Sequence, residues 1–403
     1  MKKLTIIGIN YYPETTSTGL YTTQLAEYLS DHGVEVTIVS GFPYYPAWKI
    51  DHNYAGESTF FTEVINGVTI HRYKQYVPSN PTFLKRILHL IDYTVGSFFN
   101  MFRITQADVV LCIVPFTSTL FLGKIFSVFR KAKLWAHIQD FEFDAAGETM
   151  VSQKNYLFKP LYFLERQLLK RTDLSSTISV SMVEKLKQKL KISHPVKLLP
   201  NWVDLQDIHP EKSSVHSYLS SKKFKVLYSG NIGEKQDWGV FLNVAEALQN
   251  TSDVEFIVVG DGGKRKWFVD RIQSLSNVTH HFPVEYGHLN DLLCSADLHI
   301  LFQKQEVKDT VMPSKILAMM ASQKPSLITG NLDSEVFKII NRANAGYYLN
   351  NDVEKIREHI LNLKENNTLA EQMGTNARSY VGETFNKHDV LEKFKATLNY
   401  LIQ

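Results

Sequence analysis

With 403 residues, 44% hydrophobic and 21% charged side chains and a formal net charge of +3, the chain is long enough for two or three domains and ordinary in composition. That balance excludes a disordered chain, and it argues against a nucleic-acid partner, which would need a strongly basic surface. Two cysteines, Cys112 and Cys294, lie far apart in apolar stretches and read as buried thiols in a reducing compartment, with no metal-ligating spacing around them. The apolar run after Lys2 and Lys3 is too short for a signal segment, and no stretch approaches ~18 consecutive apolar residues, so no membrane span is expected.

In chain order, Leu4 to Ile9 is a continuous apolar run, as in a strand covered on both faces. A helix is expected from Gly19 to Ser30, where Leu25, Ala26 and Leu29 share a face, and a strand from Val34 to Val39. Further strands are expected at Val68 to Tyr73, Asp108 to Val114 and Leu134 to Ile138, the later ones separated by helical stretches. The rhythm restarts with a strand at Phe224 to Tyr228 and a helix at Val240 to Leu248. Strands at Val254 to Val259 and Leu298 to Phe302, a helix at Ser314 to Ala321 and a strand at Ser326 to Thr329 follow. From Asp352 to Gln403 the pattern is mostly helical. Alternating strands and helices predict two α/β halves with parallel sheets. The polar stretch EKSSVHSYLSSKK, Glu211 to Lys223, is the best linker candidate.

Two segments interleave Lys or Arg with Phe, Leu and Ile: Thr82 to Arg103 and Lys124 to Lys133. Each is compatible with a helix lying on a membrane surface and with an amphipathic helix facing a core.

Ligands of open parallel sheets bind at the carboxyl ends of the strands, so the loops after strands are the informative ones. The first, NYYPETTSTG at Asn10 to Gly19, ends with a glycine opening a helix, a place where an anion can approach the backbone; a plain turn is the alternative. The second, HIQDFEFD from His137 to Asp144, gathers one histidine and three acids past a strand end. His137, Asp140 and Asp144 are placed to face a cleft, the alternative being a solvated acidic loop, and the spacing fits no standard metal site. The third, SGNIGEKQ at Ser229 to Gln236, joins two glycines to a lysine before a helix, and Gly260-Asp-Gly-Gly263 repeats the idea after the next strand. Together they suit a diphosphate. The fourth, MPSKI at Met312 to Ile316, sets Ser314 and Lys315 in a first helical turn, where a cation opposes the helix dipole unless an anionic ligand offsets it.

These four loops, in this order, resemble the retaining glycosyltransferases of family four, which have the GT-B fold, and among them the bacterial colanic acid and capsule biosynthesis transferases. The likeness covers essentially the whole chain. It is carried by GINYYPE at Gly8 to Glu14, PYYPAW at Pro43 to Trp48, HIQDFEFDA at His137 to Ala145 and STIS at Ser176 to Ser179. PNW at Pro200 to Trp202, YSGNIGEKQ at Tyr228 to Gln236 and MPSK at Met312 to Lys315 complete it.

The resemblance implies an α/β fold of two Rossmann-like domains whose parallel sheets face an interdomain cleft. Residues 1–200 would bind the acceptor, 201–385 the nucleotide sugar, and 386–403 would form a helix returning to the first domain. It implies retaining transfer from a GDP- or UDP-linked sugar, GDP-fucose being the first choice, to a lipid-linked glycan in capsule, exopolysaccharide or O-antigen synthesis. No cofactor and no metal are implied. The place of work would be peripheral, on the cytoplasmic face of the bacterial inner membrane, with the basic aromatic helices of the first domain on anionic lipid.

Position by position, His137 matches the active-site histidine, expected to hydrogen-bond the donor sugar, and Asp140 of the same loop guides the acceptor. Gly19 matches the glycine loop near the diphosphate, and Gly230, Asn231, Lys235, Gly260, Ser314 and Lys315 form the donor side. Asn231 stands where many members carry an arginine, a charge that Lys315 can supply. Thr310 and Ala318 occupy the positions of two glutamates, the second of which binds the ribose, leaving Ser314, Lys315 or Glu306 as substitutes. Two other readings stay open: a nucleotide-sugar epimerase of the same architecture, and a non-catalytic nucleotide-sugar-binding subunit.

Overall fold

The computed structural model describes residues 1–14, 17–115, 117–141, 155–190, 194–251, 253–307 and 315–403. The chain divides into two compact units, Met1–Pro200 with Val390–Gln403, and Asn201–Asp389. No helix among the described residues is long and apolar enough to cross a membrane.

Unit 1 alternates strand and helix: β1 (Lys2–Ile7), α1 (Ser17–Asp31), β2 (Val34–Gly41), β3 (Phe60–Ile65), β4 (Val68–Tyr73) and α2 (Phe83–Asn100). It continues with β5 (Val109–Val114), α3 (Thr117–Arg130), β6 (Lys133–Ile138), α4 (Asn155–Leu169), β7 (Leu174–Thr177), α5 (Val180–Leu190) and β8 (Val196–Leu198). The described strands form one sheet in the order β3-β4-β2-β1-β5-β6-β7-β8. It is parallel except for the β3–β4 hairpin, whose turn uses Asn66 and Gly67 at φ 49° and 76°, the left-handed pair that a tight hairpin requires. β1 is central, with Ile6 beside Ile38 of β2 and Leu111 of β5, and the strand order reverses between β1 and β5.

Unit 2 contains β9 (Phe224–Ser229), α6 (Trp238–Ala247), β10 (Val254–Val259), α7 (Arg265–Ile272), β11 (Val278–His281), α8 (Leu289–Cys294) and β12 (Leu298–Phe302). Then come α9 (Lys315–Ala321), β13 (Ser326–Thr329), α10 (Glu335–Ala343), β14 (Gly346–Leu349), α11 (Val353–Glu365) and α12 (Asn367–Thr384). Its all-parallel sheet has the order β11-β10-β9-β12-β13-β14, the doubly wound pattern, with its switch point between β9 and β12. The side chains of Asp237, Ser334, Asp352 and Asn366 cap α6, α10, α11 and α12 by accepting first-turn N–H groups.

The stretch Glu211–Lys223, expected as a linker, belongs to unit 2. Ser214 N–H is accepted by Asp291 and His216 N–H by Ser295, both on or just past α8, while Leu219 is buried. The chain crosses instead at Pro200–Asn201. Residues 386–389 also stay with unit 2 rather than with the returning helix. Val203 donates to Phe385 O, Lys387 donates to Val203 O, and the Lys387 ammonium pairs with Asp204 at 3.0 Å. The final described helix, α13 (Lys387–Ile402), joins unit 1 from Val390 onward. There Phe394 stacks on Trp135 and meets His137 edge-on, at centroid distances of 5.8 and 5.0 Å.

α2 is inside out. Its buried side carries His89, Tyr93, Gly96, Ser97 and Asn100, while Leu84, Leu88, Ile91, Val95 and Phe99 are each more than half exposed. These exposed residues recur at i, i+4, i+7, i+11 and i+15, one face of a helix. The amphipathic pattern of this segment therefore does not face the core.

Candidate functional site

In unit 2 the switch point brings the loop after β9 beside α9. Lys315 opens α9, and its ammonium donates to the Tyr228 hydroxyl at 3.1 Å while lying 4.6 Å from the centre of that ring. The hydroxyl in turn donates to Asn231 O at 2.6 Å. No carboxylate among the described residues pairs with Lys315. Burial pulls its pKa from the usual lysine range down to about 8. Gly230, at φ 145°, makes the approach possible: a Cβ there would stand 2.7 Å from the Lys315 nitrogen. On α9 the described residues left partly open are Lys315 and Ala318, three apart and so on one face; Ile316, Leu317, Met319 and Met320 are buried.

The loop is stitched to the one after β10. Gly230 N–H bonds Val259 O, Ile232 N–H bonds Asp261 O, and Lys264 N–H bonds Ile232 O. Gly260 is required for this contact, since a Cβ on it would fall 1.9 Å from Gly230 O. Gly233 N–H is held by the Gln236 amide, and the Trp238 indole donates to Gly233 O at 3.0 Å. The result is a fixed loop with a desolvated cation against it, suited to an anion.

The predicted donor-side residues divide. Gly230, Asn231, Gly260 and Lys315 come together around Tyr228. Lys235 is exposed further along the loop, where its carbonyl accepts Lys304 N–H at 3.1 Å. Ser314 and Thr310 lie outside the described residues. Glu306 is exposed on the turn after β12, and Ala318 presents only a methyl group at its position.

In unit 1 the loops after β1 and β2 are locked by buried charge. Glu14 accepts the N–H groups of Tyr44 and Tyr45, each at 2.8 Å, and the Asn10 amide at 2.7 Å. Burial raises its pKa, while these hydrogen bonds and Arg72 pull the other way. Arg72, fully buried, pairs with Glu63 at 2.5 Å and donates to Tyr12 O at 2.6 Å and Gly41 O at 3.3 Å. Gln75 grips both the N–H and the carbonyl of Phe42. The Tyr12–Pro13 and Tyr45–Pro46 bonds are cis. Between these loops lies a cavity of about 350 Å³, lined by Pro13, Glu14, Pro43 to Ala47 and Lys49 to His52. Gly19 is buried, and a Cβ on it would meet Glu14 O at 3.0 Å, so this glycine lets α1 pack on the Glu14 turn.

The His137 ring is enclosed within unit 1: it is only 2% exposed, under Phe394, with Nδ1 2.9 Å from Ser176 Oγ and Nε2 receiving the Gln139 amide at 3.0 Å. Ser176 Oγ also accepts the Trp135 indole N–H at 2.8 Å. Burial drives the pKa of His137 down to about 3, so the ring is neutral, with the proton on Nδ1 if the Gln139 amide donates to Nε2. The strand carries this side chain onto the face of the sheet that α13 covers. Asp140 lies two residues past β6 and is partly open, and Asp144 lies outside the described residues. Sequence reasoning missed Tyr228, Glu14 and Arg72 as site-builders. Glu14 closed one of the resemblance motifs and Tyr228 opened another, but neither motif assigned the side chain a role.

Comparison with known proteins agrees with this architecture. Residues 17–202 match the glycosyl transferase 4-like domain family and residues 223–366 the family described as glycosyl transferases group 1. The chain is 31% identical to WcaI of Escherichia coli K12, a glycosyl transferase named for colanic acid biosynthesis, over 97% of this chain and 98% of that one. It superposes on a sucrose-phosphate synthase of Thermosynechococcus elongatus with a TM-score of 0.74 at 12% identity, covering 100% and 99% of the two chains. HepE of Anabaena in complex with UDP gives 0.70 at 14% identity, covering 99% and 100%. The chain belongs to the group 1 glycosyltransferases, family four, with the GT-B fold.

Proposed function

We propose that this glycosyltransferase moves a sugar, with retention of configuration, from a nucleotide-diphosphate sugar to a lipid-linked glycan in bacterial polysaccharide synthesis. The observation that carries the donor side is the Lys315 ammonium, held over Tyr228 against Gly230 without a carboxylate partner among the described residues. An ammonium in that state gains from a diphosphate what it lacks in the free protein. The name of the colanic acid relative supports polysaccharide assembly. Solved complexes of HepE with UDP and with UDP-glucose support a nucleotide-sugar donor.

In this reading the donor's diphosphate sits against Gly230, Asn231, Gly260 and Lys315, with Lys235 and Ser314 at its edges. Its departing negative charge is met by loop N–H groups and ammonium rather than by a metal. The bond from the anomeric carbon to phosphate breaks, positive charge builds on that carbon, and the acceptor hydroxyl adds from the leaving-group face. Asp140 orients that hydroxyl. The cavity beside Glu14 and Tyr44 holds acceptor sugar. Work takes place on the cytoplasmic face of the inner membrane, where lipid-linked glycans are extended. GDP-fucose and UDP-hexoses are the first donors to try.

The test is a panel of GDP and UDP sugars, each with and without a lipid-linked acceptor, following nucleotide release and sugar identity. Acceptor-dependent release with an unchanged anomeric configuration is expected. Conversion of the donor sugar without acceptor, or binding without turnover, would replace this reading by an epimerase or a non-catalytic subunit.

A further inference from the structure

The cavity between the loops after β1 and β2 has an aromatic wall that is built before any ligand arrives. Tyr45 is 44% exposed, and its ring meets that of buried Tyr44 edge-on at a centroid distance of 6.3 Å. Tyr44 in turn packs on Trp48 at 5.4 Å and on His89 of α2 at 4.7 Å, and Arg86 lies over Trp48 at 5.2 Å. A half-exposed aromatic ring is ordinary on a surface. This one is backed by Tyr44, Trp48 and His89 and lines a cavity of about 350 Å³. That volume is at the low end for ligand pockets and suits a single sugar ring rather than an extended glycan.

The polar groups of the cavity are those a sugar ring uses. An ionised carboxylate has about four acceptor sites. At Glu14 one oxygen accepts Tyr44 and Tyr45 N–H and the other accepts the Asn10 amide, so one site stays unfilled among the described residues. The Lys49 ammonium, also in the lining, has no partner among them. Sugar hydroxyls both donate and accept, so a carboxylate and an ammonium in one cavity suit them. The second carboxylate of the lining, Asp51, accepts Asn53 N–H at 2.9 Å and lies 3.6 Å from the His52 imidazole. With that imidazole neutral, two carboxylates stand against one ammonium, so nothing here draws in a sugar that carries a carboxylate of its own.

We infer that this cavity reads one uncharged pyranose of the acceptor, stacked by its C–H face on Tyr45 with a hydroxyl donated to the open site of Glu14, and that it discriminates against a uronate. This deepens the proposed function, on whose acceptor it rests. The C–H bonds of a pyranose are polarised by its oxygens and meet the negative face of an aromatic ring favourably. Glu14 couples the two contacts. The carboxylate that accepts the sugar hydroxyl also holds Tyr45 N–H, and with it the position of the ring.

The experiment is saturation-transfer NMR on the full chain, with the methyl glycosides of glucose and galactose and of their uronates as probes, beside transfer kinetics with the donor that the panel selects. The parent is expected to bind a neutral glycoside and to bind its uronate at least about tenfold more weakly. Tyr45→Ala should abolish the neutral signal and raise the acceptor KM about tenfold, with donor KM and melting temperature unmoved, and Tyr45→Phe, which keeps the ring, should restore both. Asp51→Asn, which can still accept Asn53 N–H, should narrow the preference against the uronate while the Glu14 hydrogen bonds stay intact. Equal binding of a glycoside and its uronate, neutral binding that survives Tyr45→Ala, or no neutral binding by the parent overturns the inference. A parent that binds a neutral glycoside through Tyr45 yet transfers no sugar refutes the proposed reaction and leaves the site standing. Transfer indifferent to Tyr45→Ala does the reverse.

Discussion

Replacing Lys315 by methionine keeps the stem of the side chain and removes its charge, and two consequences of opposite sign follow. The free protein holds this ammonium at a cost. A lysine pKa lowered from 10.5 to about 8 corresponds to about 3 kcal/mol of lost stability at neutral pH, at ~1.4 kcal/mol per unit. The cost is present in full below about pH 8 and is relieved as pH rises towards 10.5, because in that interval the unfolded chain binds the proton and the folded one does not. Lys315→Met is therefore expected to be more stable than the parent at pH 7, by about 2–3 kcal/mol, with the difference shrinking above pH 8. Donor use moves the other way. A hydrogen bond to a charged group is worth about 1.5–3 kcal/mol, so kcat/KM for the donor should fall roughly 10- to 100-fold. In the parent, kcat/KM should decline as pH rises through about 8, where the free ammonium is lost, and the variant should lack that limb. Denaturant melts across pH and initial-rate kinetics measure both. A variant that is less stable at pH 7 and keeps donor kcat/KM within about twofold would refute the placement of an anion beside Lys315.

Gly230→Ala tests the same site sterically. At φ 145° with Nζ 2.7 Å from the new methyl, it should displace Lys315 and cut donor affinity at least ~10-fold while far-UV circular dichroism stays unchanged. Glu14→Ala leaves the N–H groups of Tyr44 and Tyr45 without their acceptor, so an unfolding free energy lower by about 2–5 kcal/mol is expected, with Glu14→Gln recovering part of it. His137, neutral down to about pH 3, should contribute no activity limb between pH 5 and 8. His137→Ala should lose about 2–4 kcal/mol of stability, read by chemical denaturation, and a limb near pH 6.5 that vanishes in this variant would contradict the enclosed ring.

The strands covered on both faces were legible as continuous apolar runs: Val254–Val259 and Leu298–Phe302 stand as read. β7 was not, because its sequence LSST is polar. It is buried nonetheless, since Ser175 reaches His194, Ser176 meets Trp135 and His137, and Thr177 donates to Ile138 O. Those partners come from other elements, and a local window does not contain them. β3 alternates half-open and exposed residues and becomes a strand because the Asn66–Gly67 turn folds it onto β4. The same limit applies to the site. Glycine loops and the lysine could be named from spacing, but the Tyr228–Lys315 contact joins residues 87 positions apart. His137 was named from its place at the strand end, but the pattern leaves open which layer its ring enters, and Phe394, which covers it, lies 257 positions further on. The stripe on α2 was likewise visible as a stripe, and its direction was not.

Residues 390–403 complete unit 1 although the whole of unit 2 separates them from Pro200. On the ribosome, at about 5–20 residues per second, unit 2 takes on the order of 10–40 s to be made. For that interval the nascent first sheet carries Trp135 and His137 without the Phe394 ring that later covers them. The protein's first-born domain is thus its last to close.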